Sequence, residues 1–198
     1  MMSLRAKKTA KKKEEILKSA ISVIGEKGYH ATTMEDIAAK LLMTKGSVYY
    51  YFKDKQDLLY QSYKMLLERS LKNITEIREE DIDPEAKLLK IMSSHIDYIV
   101  TERSGFEVGM KPEHFFEGSQ LEIIMDLRSR YAKSLDEVII EGINEGYFHN
   151  VDVKIVRNII LGAMNWVIQW YKTEGEKSKE ELSEAIAHYL MKVLKNND

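Results

Sequence analysis

Residues Thr32–Lys55 read TTMEDIAAKLLMTKGSVYYYFKDK, and the spacing of their capping residues decides the fold. Thr32 with Glu35, and Thr33 with Asp36, each set a hydroxyl three residues ahead of a carboxylate, the pattern of a capping box, so a helix begins here. It runs only to about Leu41. Thr44 supplies the next N-cap, for a helix that ends near Tyr50 or Tyr51. Asp54 then caps a longer helix from about Lys55 towards Glu79. Two short helices with a tight connection, followed by an aromatic block and a lysine, have the layout of a helix-turn-helix, whose second helix enters the DNA major groove.

Outward from this stretch the chain stays helical. Ile16, Leu17, Ala20, Ile21, Val23 and Ile24 recur at helical spacing over about 12–27, and Gly28 is a natural stop. Lys7–Lys13 is read as a basic arm, frayed at its start. Asp83 before Pro84 starts a helix that reaches about Glu102. Ser104–Ser119, with Gly105, Gly109, Pro112 and Gly118, is the least regular part. Helical periodicity returns over about 120–145, from Asp152 to about Tyr171, and from the capping box of Ser178 and Glu181 to about Leu194. The fold class is all-α, with about nine helices and no convincing strand. A three-helix DNA-binding domain with its basic arm occupies 1–55, and a helical ligand-binding and dimerisation domain occupies 56–198.

Overall charge, 30 basic against 32 acidic residues, carries no information, but its distribution does. Residues 1–60 hold 12 Lys and Arg against 7 Asp and Glu, and the remainder hold 18 against 25. A basic front and an acidic back suit a protein whose front meets a polyanion. The absence of cysteine excludes a disulfide framework and a thiolate metal site, and fits a reducing cytoplasm. No apolar run reaches bilayer-spanning length, and no signal-peptide hydrophobic region follows the basic N-terminus.

Within 32–55 the residue types suit DNA. The capped start of the second helix offers the Thr33 hydroxyl and free backbone N–H groups to a phosphate. The third helix opens Thr44-Lys45-Gly46-Ser47, small or polar residues that let it approach base edges. Val48 points inward, onto Ile37 and Leu41. Tyr49 and Tyr50 offer hydroxyls to phosphate oxygens, and Lys55 a charge-assisted phosphate contact. Lys45, Ser47 and Tyr49 are the candidates for reading sequence. Phe52 and Tyr51 are read as core.

These residues resemble the N-terminal domain of TetR-family transcriptional regulators, whose pattern runs close to T-x-x-x-I-A-x-x-x-G-V-S-x-G-x-x-Y-x-Y-F-x-x-K. Thr33, Ile37, Ala38, Met43 for Val, Thr44 for Ser, Gly46, Tyr49, Tyr51, Phe52 and Lys55 fill it, and the match covers about 12–60. One position departs: Leu42 stands at the usual turn glycine, so either the turn is remodelled or Leu42 is strained. The resemblance implies a homodimeric repressor on a palindromic operator, released when a small molecule enters the C-terminal domain. Two half-sites about 34–36 Å apart demand a two-fold dimer in any case. The last two helices are the expected interface, through Ile155, Ile159, Ile160, Ala163, Val167, Ile186, Tyr189, Leu190 and Val193, with Gly162 allowing close approach.

The C-terminal part is rich in groups that can line a cavity: Met92, Tyr98, Phe106, Met110, Phe115, Phe116, Met125, Tyr131, Met164, Trp166 and Trp170. Aromatic and Met residues at helical spacing also serve as ordinary core. GINEGYFHNVDVK, followed by LGAMNWVIQWYKTEGEKSKEEL, resembles a branch of TetR proteins that includes regulators of fatty-acid and sterol catabolism sensing acyl-CoA thioesters. That resemblance implies a small apolar effector in a long tunnel with a basic mouth, for which Arg103, Lys111, Arg128 and Arg130 are candidates.

The five histidines show no metal-ligand spacing, and no Gly-rich phosphate loop, nucleophile elbow or acid–base pair is present. Neither catalysis, a cofactor nor a membrane partner is expected. The alternative to a regulator is an α-helical binding or scaffold protein with a vestigial helix-turn-helix. Leu42 supports it, while the intact Lys45, Tyr49 and Lys55 oppose it.

Overall fold

The computed structural model describes residues 3–108 and 110–195. Among them are nine α-helices, one single-turn 3-10 helix and no strand. α1 (Leu4–Lys27) starts on Ser3, whose hydroxyl accepts the Ala6 N–H at 3.2 Å, and stops at Gly28 with φ +80°. It therefore begins before the frayed arm expected at Lys7–Lys13, because Ala, Lys and Arg are good helix formers and a serine cap precedes them. α2 (Met34–Lys40) is capped by the Thr33–Asp36 pair, while Thr32 is buried and donates its hydroxyl to the Gly28 carbonyl at 2.8 Å. α3 (Lys45–Tyr49) starts on Thr44. α4 (Lys55–Arg78) follows Asp54, whose carboxylate accepts the Asp57 N–H at 2.8 Å.

α5 (Pro84–Thr101) has Asp83 as its N-cap and Pro84 in its first turn. The stretch expected to be irregular holds α6 (Arg103–Val108) and a 3-10 turn at Pro112–His114. Gly109, one of the glycines that marks that stretch, lies outside the described residues. α7 (Gly118–Asn144), α8 (Val153–Trp170) and α9 (Lys179–Met191) complete the chain.

The chain packs as two compact units, one of residues up to Leu66 with Arg103–Glu122, the other of Leu67–Glu102 with residues from Ile123 onward. In the first, Ile16, Ala20 and Val23 of α1, Ile37 and Ala38 of α2, Val48 of α3, Phe52, and Leu58 of α4 form one buried cluster, with Leu41, Met43 and Tyr51 at its edge. α6 lies close against α1: a Cβ on Gly105 would fall 3.3 Å from Ile21 Cγ2 of α1 and 2.2 Å from Leu66 Cδ1 of α4, so a larger residue would have to push the Leu66 side chain aside. Phe116 is buried and stacks on the ring of Tyr63, centroids 5.9 Å apart. In the second unit α5 packs on both α8 and α9. Its core draws on Leu88, Ile91, Met92 and Ile96 of α5, Leu135 and Val138 of α7, and Ile160 and Met164 of α8. Lys87, almost wholly buried, is neutralised by Glu141 at 2.9 Å.

The end of α2 settles the question at Leu42. The Leu42 N–H donates to the Ala39 carbonyl at 3.0 Å and the Met43 N–H to the Ala38 carbonyl at 2.9 Å, a Schellman closure with Met43 turned onto the core. The residue in the left-handed position is Leu42 itself, at φ +52°, the one non-glycine with positive φ among the described residues. The turn keeps its geometry and the leucine bears the strain. Its side chain is 98% exposed, so no burial offsets the cost. A left-handed conformation costs an ordinary L-residue about 1–2 kcal/mol, of which glycine's greater freedom when unfolded returns about 0.5–1 kcal/mol. Leu42→Gly should therefore raise the unfolding free energy by about 0.5–1 kcal/mol, and Leu42→Val should lower it. Urea denaturation with an unchanged m-value checks both.

Candidate functional site

The outer face of α3 is built from one inward anchor. Val48 has no exposed surface and Phe52 1%, so the helix can present only its opposite side. Lys45 and Gly46 are exposed there, as are Tyr49 (44%) and Tyr50 (76%), while Ser47 is half-buried. The Thr44 hydroxyl accepts the Ser47 N–H at 3.2 Å and shares a 2.8 Å hydrogen bond with the Ser47 hydroxyl, which ties down the first turn. Gly46 has a physical peculiarity: a Cβ placed there would meet nothing within 4 Å. The fold does not require glycine at this position, although glycine weakens a helix. A bare backbone at the start of an exposed helix suits close approach by something outside the chain.

Lys45 is held by the Glu35 carboxylate, and its ammonium lies 5.7 Å from the centre of the Tyr49 ring. The hydrogen bond between them raises the Lys45 pKa and lowers that of Glu35. In the sequence Glu35 reads only as a capping candidate, because its pairing across the turn with Lys45 has no local signature. The expected Thr33 hydroxyl donates to the Asp36 carboxylate at 2.8 Å. Lys27, 2.6 Å away, together with Thr33, pulls the Asp36 pKa down to about 2.

Lys55 stands differently from the other DNA candidates. Its ammonium donates to the carbonyls of Tyr29 at 2.7 Å and Thr32 at 2.8 Å, and lies 4.4 Å from the centre of the Tyr29 ring. It ties the start of α4 to the loop between α1 and α2. The Tyr29 hydroxyl donates to Gln56 Oε1 at 2.8 Å, and the Gln56 amide donates in turn to the Phe115 carbonyl.

In the second unit a cavity of about 270 Å³ is lined by Arg69, Ser70 and Asn73 of α4, Ser94, His95, Asp97 and Tyr98 of α5, and Tyr131 of α7. His95 Nε2 lies 3.1 Å from Asn165 Oδ1, which makes it the protonated nitrogen, so Nδ1 accepts from the Tyr131 hydroxyl at 2.8 Å. Burial pushes the His95 pKa down to about 4, that of Tyr98 up to about 12, and that of Tyr131 up as well. The Ser70 hydroxyl is buried without a hydrogen-bond partner. Asp97 is bound to Lys179 at 2.6 Å.

Of the residues expected to line a ligand site, Tyr98 and Tyr131 meet at this cavity. Met92 is fully buried core, Met125 is 48% exposed and Arg128 is half-buried. Phe106, Met110 and Phe115 belong to the first unit, where Phe115 packs its edge against Tyr29 at 5.7 Å. Trp166 and Trp170 point outward. With Ile155 and Ile159 they make an exposed apolar stripe along α8, while Tyr189 and Val193 are exposed on and just beyond α9. Arg69, Ser70 and Asn73 were not expected at the site: they are polar residues on a long helix, indistinguishable by spacing from a solvated face. Among the described residues no cluster of three or more metal-ligating side chains occurs, and no helix is long and apolar enough to cross a membrane.

Residues 16–61 match the family described as bacterial regulatory proteins, tetR family, and residues 81–194 match the tetracyclin repressor-like C-terminal domain. The chain is 25% identical over 187 residues to the fatty acid metabolism regulator protein of Bacillus subtilis (strain 168), covering 92% of this chain and 95% of that one. The crystal structure of PfmR, a TetR family transcriptional regulator from Thermus thermophilus, matches with a TM-score of 0.81 at 26% identity, over 91% of this chain and 99% of the other. FadR from Bacillus subtilis, crystallised in complex with stearoyl-CoA, shares the fold with a TM-score of 0.72 at 24% identity, over 89% and 96% of the two chains.

The depressed His95 pKa carries a stability consequence with a definite sign. The unfolded chain protonates His95 near pH 6.5, and the folded chain does so only near 4. This contribution is complete above about pH 6.5 and is lost as pH falls from there towards 4, by about 1–2 kcal/mol at pH 5. Thermal unfolding of the protein and of His95→Gln at pH 7.5 and pH 5 should show a smaller acid-induced destabilisation in the variant.

Proposed function

The chain belongs to the TetR family of bacterial regulatory proteins, and on that premise we propose that it binds a palindromic operator as a homodimer and leaves it when an acyl-CoA or related acyl compound occupies its second unit. Membership itself makes it a ligand-responsive, DNA-binding regulator of transcription and not an enzyme. The observation that carries the finer reading is the outer face of α3, where Lys45, Gly46, Tyr49 and Tyr50 stand free of the core around a buried Val48. Lys45, Ser47 and Tyr49 meet base edges, while Thr33, Thr44 and Tyr50 position the backbone. In this assignment residues 1–55 bind DNA and 56–198 bind the effector and the second protomer. Lys55 acts chiefly by bracing the α1–α2 loop.

The stripe of Ile155, Ile159, Trp166 and Trp170 on α8, together with Tyr189 exposed on α9, supports the dimer. Two exposed tryptophans in line with two exposed isoleucines form the kind of surface that marks a protein interface. Ile160 and Val167, buried on the other side of α8, belong to the protomer's own core. The exposed stripe then takes over the partner role expected of the whole helix.

The acyl effector is supported by a relative named for fatty acid metabolism and by the stearoyl-CoA held by the Bacillus subtilis FadR. The cavity around His95 and Tyr131 suits the polar portion of such a molecule, with Arg69 as its cationic group. At about 270 Å³ it lies just under the roughly 300–1,000 Å³ of typical ligand sites, so an effector must widen it. Arg69, Ser70 and Asn73 share α4 with Leu58 of the DNA-side core, so a ligand that favours one placement of this helix biases both ends. Release follows from differential affinity for two states, not from tight binding alone.

Selection of bound sequences from a random duplex library should yield a palindromic consensus. On that operator Tyr49→Ala should weaken binding by about 1–3 kcal/mol. Gly46→Ala should weaken it too while leaving fold stability unchanged or raised by up to about 1 kcal/mol, because its methyl group meets nothing inside the protein. An undiminished affinity in folded Tyr49→Ala would refute its assigned role. Titration with long-chain acyl-CoA should raise the Tm and release the operator. Neither effect occurring would sink the acyl assignment while leaving the DNA reading in place.

A further inference from the structure

Ser70 does not do what three other hydroxyls in the helices of its unit do. Thr75, Ser94 and Thr101 each donate to the carbonyl four residues back, those of Leu71, Lys90 and Asp97. The Ser70 hydroxyl is buried and has no hydrogen-bond partner among the described residues, although a carbonyl stands four residues back at Leu66. A buried hydroxyl left unpaired costs stability, and folded proteins keep few of them. Ser70 lines the cavity formed by α4, α5 and α7, so the partner it lacks can come from an occupant of that cavity.

The hydrogens around the cavity are committed in a pattern that selects its occupant. The Tyr131 hydroxyl donates to His95 Nδ1 at 2.8 Å, and the Ser94 hydroxyl donates to the Lys90 carbonyl. Both oxygens therefore face an occupant as acceptors only. Asp97, whose carboxylate holds Lys179 at 2.6 Å, is a third acceptor and the one anion among the described residues of the wall. Ser70 is free both to donate and to accept. A saturated chain pairs with none of these groups and would seal the Ser70 hydroxyl away from water. A carboxylate or a ketone brings acceptors alone, and the carboxylate also sets its charge beside Asp97. An ammonium brings donors alone. A hydroxyl donates to one of the three acceptors and accepts from Ser70 in the same place. At about 270 Å³ the cavity takes a short oxygenated segment of a larger molecule.

We propose that this cavity recognises a hydroxyl group, so that the effector is a hydroxylated acyl compound, which Ser70 of α4 and Tyr131 of α7 distinguish from its saturated counterpart. Discrimination of this kind is strong, because the analogue without the hydroxyl leaves buried polar groups unpaired. The proposal rests on the reading of this cavity as the site of an acyl effector, and the test keeps the two apart.

Decanoyl-CoA, 3-hydroxydecanoyl-CoA and 10-hydroxydecanoyl-CoA are titrated calorimetrically, without DNA, into the unaltered protein and into Ser70→Ala. At least one hydroxylated thioester should bind the unaltered protein about ten- to a hundredfold more tightly than decanoyl-CoA, the range expected when a buried hydroxyl gains or lacks its partner. In Ser70→Ala that advantage should shrink about tenfold or more, while decanoyl-CoA binds as before or more tightly. Thermal unfolding of the ligand-free variant should be no lower than that of the parent, since the substitution removes a buried hydroxyl without a partner. Equal binding of all three thioesters to the unaltered protein overturns hydroxyl recognition and leaves the acyl reading in place. An advantage that survives Ser70→Ala undiminished, or a lowered Tm in that variant, overturns the role of Ser70. Binding of none of the three overturns the proposal together with the acyl reading.

Discussion

A helix of five residues cannot hold itself together in water, since nucleation costs more than its few hydrogen bonds return. α3 exists because Val48 is buried without remainder among Ile37, Ala38 and Leu58, with Phe52 closing the same cluster four residues later. That one insertion fixes the rotation of the helix about its axis, and the rotation decides that Lys45, Gly46, Tyr49 and Tyr50 face outward. The Thr44 cap then sets where the helix starts. α4 leaves from the same cluster through Leu58, and the Lys55 ammonium fastens its first turn to the loop ahead of α2. The geometry of the whole outer face of α3 descends from this small apolar core.

What could be read in advance was what is local. Thr33 with Asp36, Thr44, Asp83 with Pro84, and Ser178 with Glu181 are caps whose hydrogen bonds span three residues, and each opens a helix in the structure. Other features depend on partners far along the chain. Gly105 made its stretch look irregular, yet α6 forms there because glycine lets it close on Leu66 and Ile21. Glu35 on Lys45, and Lys55 on the Tyr29 and Thr32 carbonyls, leave no trace in spacing. The cavity shows the same limit from the other side. Aromatic content pointed to Tyr98 and Tyr131, but equally to Trp166 and Trp170, which face outward, while the polar wall of Arg69, Ser70 and Asn73 reads like an ordinary solvated helix face.

The outward-facing Lys45 already holds a partner in the Glu35 carboxylate, and magnitudes decide whether that matters for the proposed DNA contact. Exposed ion pairs contribute about 0–1 kcal/mol, whereas a good bidentate contact to a base edge discriminates by about 1–3 kcal/mol. On the proposed DNA-binding reading, Lys45 therefore leaves Glu35 for a base at little cost. The same reasoning separates Lys55 from Lys45: two short hydrogen bonds to carbonyls and a ring beneath the ammonium make a more committed arrangement than one exposed carboxylate.

Several places where this chain breaks local rules gather around α3. Leu42 adopts a conformation suited to glycine, Gly46 weakens a helix that has room for a side chain, Tyr50 leaves a large ring in water, and the start of α1 carries charge against its own dipole. Each alone is worth no more than about 1–2 kcal/mol, but their signs agree, and the one internal contact offsetting any of them among the described residues is the edge of the Tyr50 ring on Tyr51, centroids 5.0 Å apart. Natural sequences keep such conflicts where function requires them and remain consistent elsewhere. On the proposed DNA-binding reading, a bound duplex supplies the missing term for Gly46 and Tyr50, through close backbone approach and a phosphate for the hydroxyl. Leu42 differs, because its strain lies in the backbone and its side chain gains only if something covers it.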